Sequence, residues 1–408
     1  MIYLVTFILL FLLSYHYDFK GYKENKTLWY ITCLLIIICT SGFRYRMGCD
    51  SIVYETEYPF MPTLSNIGDF DFSSTRYGRG YVLLTAVAKS ITPHFYGMQI
   101  IHAIIFNCLL FRFFYKYSSY IFSCVLVYYV CGFFYYNYMI LRESLAVVIF
   151  LTSWPYLTEK KWIKYYLCCG LAILFHPSAT VVCLLPILNL KIFKPFFSLT
   201  KFFFIFCIIF YFVGAIVSQK FLEYIRILEI ADFSFYADTY ESGLENGGLS
   251  MFNPKYIVIL FIRSLGYPLI VLYALSKKPS IFYKNDKPLI NLKNYEAAIC
   301  FSFYILIINI FIPIFFRFNN FFNPLVWLGI ATVFIGLAQN IKLKSLNRYA
   351  ISIIFIFPLF YLQIGARLVG HSIHSSIPGR IQMLPYTSIF DPQIIKEREQ
   401  FYGDVLYR

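Results

Sequence analysis

Long apolar blocks recur from residue 2 to residue 365 of this sequence, separated by short polar stretches, and they limit its fold more than any other feature. Blocks such as 93–115, 138–157, 296–316 and 320–339 approach the roughly 20 residues that a helix needs to cross the hydrocarbon core. No water reaches that core, so a spanning segment must satisfy its own backbone hydrogen bonds, as a helix or as part of a closed barrel. Barrel strands alternate polar and apolar residues, which these blocks do not. Hydrophobic residues make up 59% of the chain and charged residues only 14%, against about 25% charged in soluble domains. A water-soluble domain and a disordered chain are both excluded. The sequence predicts an all-α polytopic membrane protein with about 12 transmembrane helices (roughly 10–14) and external loops.

The blocks place spans near 2–16, 28–43, 93–115, 118–136, 138–157, 163–176, 178–190, 202–218, 256–275, 296–316, 320–339 and 349–365. The first lacks the basic flank of a secretory signal peptide and reads as a span. Lys-bearing loops alternate with Lys-poor ones, and the positive-inside rule assigns the former to the cytoplasm. The chain then forms a single polytopic domain over 1–408, with external segments at 44–92 (carrying an amphipathic stretch), 219–255 and 366–408. Ten of the eleven cysteines lie in or beside apolar runs and only Cys49 is in a polar loop, so no disulfide framework or metal site is expected.

The net charge of +14 divides by residue type. On this topology 17 of 21 Lys but only two of 14 Arg, Arg112 and Arg348, are cytoplasmic. The other Arg, including Arg44, Arg46, Arg76, Arg79, Arg142, Arg263, Arg317 and Arg380, gather on the external side. The positive-inside rule treats Lys and Arg alike and does not predict this separation. Guanidinium is a planar fork that binds phosphate and carboxylate through two donors, which points to an external site for a phosphorylated ligand. Pairing with acids of the same loops is the competing explanation, strongest for Arg226, Arg398 and Arg408.

The sequence contains no Walker A motif, dinucleotide fingerprint, HExxH or GxSxG, so no nucleotide or metal cofactor is expected. Four polar clusters stand out instead. The first, Arg44-Tyr45-Arg46-Met47-Gly48-Cys49-Asp50, follows the second span. Another opens the fifth span with Asn137-Tyr138-Met139-Ile140-Leu141-Arg142-Glu143, where a charge beside an apolar helix is a functional hypothesis by default. His176-Pro177-Ser178 breaks two apolar blocks, and its imidazole titrates near neutrality, as a general base requires. Arg317 sits among aromatics in Phe315-Phe316-Arg317-Phe318.

In this order the clusters resemble the EpsG family, bacterial membrane proteins of capsule, exopolysaccharide and O-antigen biosynthesis related to the Wzy polymerases. The resemblance rests on Phe43-Arg44-Tyr45-x-x-Gly48-x-Asp50-x-x-x-Tyr54, on Arg142 after an Asn-Tyr turn, and on Phe175-His176-x-Ser178-Ala179. Arg317 and Pro385-Tyr386-x-Ser388-Ile389-Phe390 complete it. It implies a membrane glycosyltransferase, in the bacterial cytoplasmic (inner) membrane with its active site facing outward. The enzyme would transfer glycan en bloc from undecaprenyl pyrophosphate onto a lipid-linked repeat unit. His176, Asp50 and Arg142 are then the expected catalytic residues. Arg44, Arg46, Arg317, Tyr54, Arg79, Arg263 and Arg380 are the expected ligands of pyrophosphate and glycan. The expected partners are the lipid-linked oligosaccharide, membrane lipid and a chain-length regulator, with no nucleic acid. A flippase for the same lipid-linked oligosaccharide and an O-antigen ligase-like transferase are the alternatives.

Overall fold

The computed structural model describes residues 2–188, 190–213, 265–284, 287–340 and 379–406. Among these the only strands are the short hairpin Tyr283–Lys284 against Lys287–Pro288, and helix dominates the rest. The chain divides into two compact units, Met1–Ala179 with Ile330–Arg408, and Thr180–Gly329.

The first unit is an up-and-down bundle. Helix α1 (Ile2–Leu13) runs on through a π-helical turn, Ser14–Phe19, and α2 (Lys26–Gly42) returns. Then come α3 (Cys49–Glu57), α4 (Arg79–Ile91), α5 (Phe95–Tyr117) and α6 (Ile121–Cys131). A second π-helical turn, Tyr135–Met139, leads into α7 (Leu141–Thr158), and α8 (Trp162–Phe175) closes the series. Contacts at both ends fix the antiparallel pairs. Near one end of α2, Gly42 lies against Ile100 and Ala103 of α5. Near the other, the Tyr30 hydroxyl donates to the Phe111 carbonyl at 2.8 Å. Similarly the Tyr129 hydroxyl donates to the carbonyl of Tyr3, and Ser123 meets Ser14 at 2.8 Å, which sets α6 against α1.

This alternation separates most lysines from most arginines along the bundle, with Arg112 at the lysine end and Lys89 at the arginine end as exceptions. Lys20, Lys23, Lys26, Lys116, Lys160, Lys161 and Lys164 mark one end of the helices, whereas Arg44, Arg46, Arg76, Arg79 and Arg142 mark the other. At the lysine end a fully buried Asp18 accepts from the Ser123 backbone at 2.7 Å and hydroxyl at 2.9 Å, and pairs with Lys26 at 3.3 Å.

Ile2–Phe19, Phe95–Tyr117 and Leu292–Phe311 are long and apolar enough to cross a bilayer. Shorter apolar helices occupy Lys26–Gly42, Ile121–Cys131, Trp162–Phe175, Pro177–Leu188, Lys201–Val213 and Asn323–Gly336. The chain is a multi-pass, helical membrane protein. Two expected spans take a different local form. The block 118–136 is the 11-residue α6 followed by the π-helical turn. The block 178–190 starts as the 3-10 segment Pro177–Leu184 before the short helix Leu185–Leu188, because the prolines at 177 and 186 each remove a backbone donor. The expected span 349–365 and external segment 219–255 lie outside the described residues, as does 366–378 of the third external segment.

In the second unit, helices Gly266–Lys277 and Leu292–Phe311 pack together, and Ser302 of the latter donates to Asn319 at 2.6 Å.

Candidate functional site

Two arginine corners form at the arginine end of the first unit, and they are built differently. The first begins where α2 stops. Gly42 lies against α5, and the chain turns through Phe43–Gly48 into α3. Gly48 has φ +87°, and a Cβ there would fall 2.5 Å from the Tyr138 carbonyl oxygen, so both the conformation and the close approach require glycine. Arg44 is fully buried inside this turn. Its Nη1 donates to the Ser41 carbonyl, Nη2 to Ser51 Oγ at 2.9 Å and Nε to the Met47 carbonyl at 3.4 Å. Its guanidinium lies 4.5 Å from the Tyr138 ring centroid, and Ser51 in turn donates to the Tyr138 carbonyl at 2.8 Å. Burial pulls the Arg44 pKa down to about 10, so the group stays protonated at neutral pH.

A strap from the far end of the sequence closes over the same corner. Tyr45 N–H donates to the Thr387 carbonyl at 2.8 Å and Ile389 N–H to the Phe43 carbonyl at 2.9 Å, as in a short antiparallel ladder. The strap is tied down by Arg398, which is buried and donates to the carbonyls of Ile381 (2.7 Å) and Pro385 (2.6 Å) and to Thr387 Oγ1 (2.8 Å). Arg46 bridges the two parts with ion pairs to Glu55 at 3.6 Å and Glu399 at 3.1 Å.

The second corner surrounds Arg142, the second residue of α7. Its Nε donates to the Tyr54 hydroxyl at 3.3 Å and its Nη1 to the Arg76 carbonyl at 3.0 Å, while the guanidinium covers the Tyr77 ring at 4.7 Å. Tyr54 is placed by α3 and packs against Tyr77, Tyr81 and Phe95, whose rings form a buried aromatic floor with Leu141 and Leu145. Burial raises the Tyr54 pKa while Arg142 pulls it down; the net shift is upward, so the phenol is protonated at neutral pH. Among the described residues the Tyr54 hydrogen finds no acceptor and Arg142 has no carboxylate within ion-pair distance. The neighbouring carboxylate, Glu57, is engaged elsewhere: it pairs with Arg76 at 3.0 Å and accepts from the Tyr77 hydroxyl.

An unpaired guanidinium at this position is costly. The first turn of α7 carries the positive end of the helix dipole, which disfavours a cation there and favours an anion. Arg142 and Tyr54 together present positive charge and hydrogen-bond donors to whatever occupies the space beside them. Phosphate oxygens match that demand in charge and in acceptor chemistry.

His176 stands one residue beyond Phe175, which packs on the same aromatic floor. The backbone brings them close: at Gly78 a Cβ would overlap the Leu174 carbonyl, so the segment 76–78 lies directly on the end of α8 while its Arg76 carbonyl holds Arg142. His176 is buried, and its Nδ1 accepts from the Ser178 backbone amide at 3.3 Å with Ser178 Oγ at 2.6 Å. That arrangement leaves the ring proton on Nε2. Asp50 lies in the first turn of α3, one turn before Tyr54 on the same face, and its charge acts on the Tyr54 phenol. Arg79 is exposed at the start of α4, with its guanidinium 5.7 Å from the Phe72 ring.

Of the expected site residues, Arg44, Arg46, Asp50, Tyr54, Arg79, Arg142 and His176 thus belong to the first unit. Arg317 belongs to the second, half-buried on Phe316–Asn319 with the Phe316 ring at 5.8 Å. Arg380 falls in the 3-10 turn Gly379–Gln382, and Arg263 lies outside the described residues. Tyr77 and Glu57 were not singled out by the sequence, and Arg76 was named only as one of the external arginines. Among the described residues no group of three His, Cys, Asp or Glu side chains is arranged to hold a metal ion.

The chain matches the EpsG family over residues 27–388, most of its length. No curated protein and no solved structure matches.

Proposed function

The chain belongs to the EpsG family, and from that premise we propose that it is a polysaccharide polymerase of the bacterial cytoplasmic (inner) membrane. It has about 12 spans in this reading, with the arginine end facing outward. Its substrate is an undecaprenyl-pyrophosphate-linked oligosaccharide, and a chain-length regulator is the candidate protein partner. The observation that carries the reading is Arg142: among the described residues, a half-buried guanidinium at a helix N-terminus, beside a phenol with an unclaimed hydrogen and without a carboxylate partner.

In the reaction an acceptor hydroxyl attacks the anomeric carbon of the growing glycan. A new C–O glycosidic bond forms, the bond from that carbon to the pyrophosphate oxygen breaks, and the lipid pyrophosphate leaves with the electron pair. Negative charge therefore builds on the leaving group in the transition state, which is where donors fixed in advance have the greatest effect. Arg142 and Tyr54 supply them. Asp50 takes the acceptor proton, and His176, protonated on Nε2, donates toward the phosphate oxygens. Arg44 and Arg46 contribute by fixing the turn and α3, which carry Asp50 and Tyr54. Arg79, Arg263, Arg317 and Arg380 are further ligands for the substrate's anionic groups. The reaction needs no nucleotide, since the pyrophosphate linkage is already activated.

Gel analysis of surface polysaccharide from a deletion strain tests the assignment. A product limited to single repeat units is expected. Loss of all surface product would indicate a flippase instead, and full-length polymer left on its lipid carrier would indicate a ligase.

A further inference from the structure

Glu57 holds a position that a bound anion would contest. One carboxylate oxygen pairs with Arg76 Nη2 at 3.0 Å, and the other accepts from the Tyr77 hydroxyl. Arg76 and Arg142 both lie against the Tyr77 ring, at 5.4 and 4.7 Å from its centroid, and the Arg76 carbonyl accepts from Arg142. Two guanidinium groups therefore share one tyrosine, yet among the described residues only one of them has a carboxylate. The Arg76 and Glu57 side chains are 47% and 36% exposed. A part-solvated pair of this kind adds little net stability and is readily broken.

We propose that Glu57 is an internal substitute for the anionic ligand, holding Arg76 and Tyr77 until a lipid diphosphate arrives at Arg142 and then releasing both to it. The inference rests on the assignment of Arg142 as the diphosphate site. Its physical basis is like-charge repulsion: a diphosphate on Arg142 sits one tyrosine ring from the Glu57 carboxylate. Turning Glu57 outward relieves that repulsion and gives the ligand a second guanidinium and a second phenol. The exchange also provides selectivity. A ligand with a single weakly charged group gains too little from Arg76 to displace the carboxylate, whereas a diphosphate carries enough charge to engage both arginines.

The test is equilibrium binding of geranylgeranyl diphosphate to the purified full chain in lipid nanodiscs. Glu57→Gln removes the competing charge and is expected to tighten binding about five- to tenfold, and adding Arg76→Gln to that variant should abolish the gain. Glu57→Asp keeps the charge and the Tyr77 phenol but shortens the side chain, so that the carboxylate no longer reaches Arg76 and Tyr77 together; it is expected to shift affinity in the same direction by a smaller factor, which preserves the test should Glu57→Gln fold poorly. Unchanged or weaker binding in both folded variants, with Arg142→Gln still abolishing it, would overturn the inference and leave the Arg142 assignment standing. Wild-type affinity in Arg142→Gln would overturn both.

Discussion

Arg44 and Arg142 lie at the same end of one helical unit, both touch the segment that opens α7, and they are in opposite electrostatic situations. Arg44 is sealed: its nitrogens donate to two carbonyls and a serine hydroxyl, and the Tyr138 ring covers its face. Among the described residues Arg142 has one carbonyl and one phenol for its five N–H groups, and it sits at the positive end of a helix. The first arrangement uses a guanidinium to organise a turn that lacks regular secondary structure. In the proposed function the second keeps positive charge ready for a partner outside the chain. On that reading an arginine-rich membrane face is not one site, and hydrogen-bond saturation, rather than residue type, separates struts from ligands.

Substitution can break this comparison. The largest expected effect is on activity: Arg142→Gln should lower chain extension by about 100- to 1,000-fold, as loss of a transition-state donor does. Its thermal midpoint should be equal to or above that of the wild type, because an uncompensated charge has been removed. Arg142→Lys should recover little, since a single ammonium cannot reproduce the fork. A collapse of the fold in Arg142→Gln would make Arg142 a strut like Arg44 and end the distinction. Next, Arg44→Met should destabilise the first unit by about 3 kcal/mol, since it strands the buried carbonyls of Ser41 and Met47. Thermal melting and protease sensitivity would register the change, and an Arg44→Met protein that melts normally yet fails to bind diphosphate would move Arg44 into the ligand set. The smallest effect belongs to Tyr54→Phe, which deletes one donor and keeps the ring. It should cost about tenfold in activity with an unchanged melt, and full activity would remove this phenol from the anion site.

Much of the architecture was legible in the sequence because burial in lipid writes itself as block hydrophobicity, and the helices around Arg44, Arg142 and His176 were placed by it. The separation of Lys from Arg was equally legible, and the structure reproduces it as two ends of one bundle. What the sequence did not reveal is where each guanidinium points. Arg44 turns inward because Ser51, seven residues on, and Tyr138, far away in sequence, meet it there. Arg76 was legible only as one of the external arginines and Glu57 as an ordinary charge; that they pair with each other at 3.0 Å follows from a contact across 19 positions. The Asn-Tyr turn before Arg142 was legible, but not that Tyr135–Met139 takes a π-helical form.

The strap over the Arg44 corner has a consequence for how the protein is made. The Thr387 hydroxyl bonds to the Tyr45 carbonyl across 342 positions, so no local folding event can complete this corner. A ribosome must deliver residues 387–398 before the turn that aims α3 is clamped from outside. Until then the helices can already be inserted in the bilayer, with Arg44 in place but its turn unclamped. Maturation of the site is thereby coupled to near-complete translation, and a nascent chain stalled before residue 387 would carry the membrane fold of the first unit without a fixed turn beneath Asp50 and Tyr54.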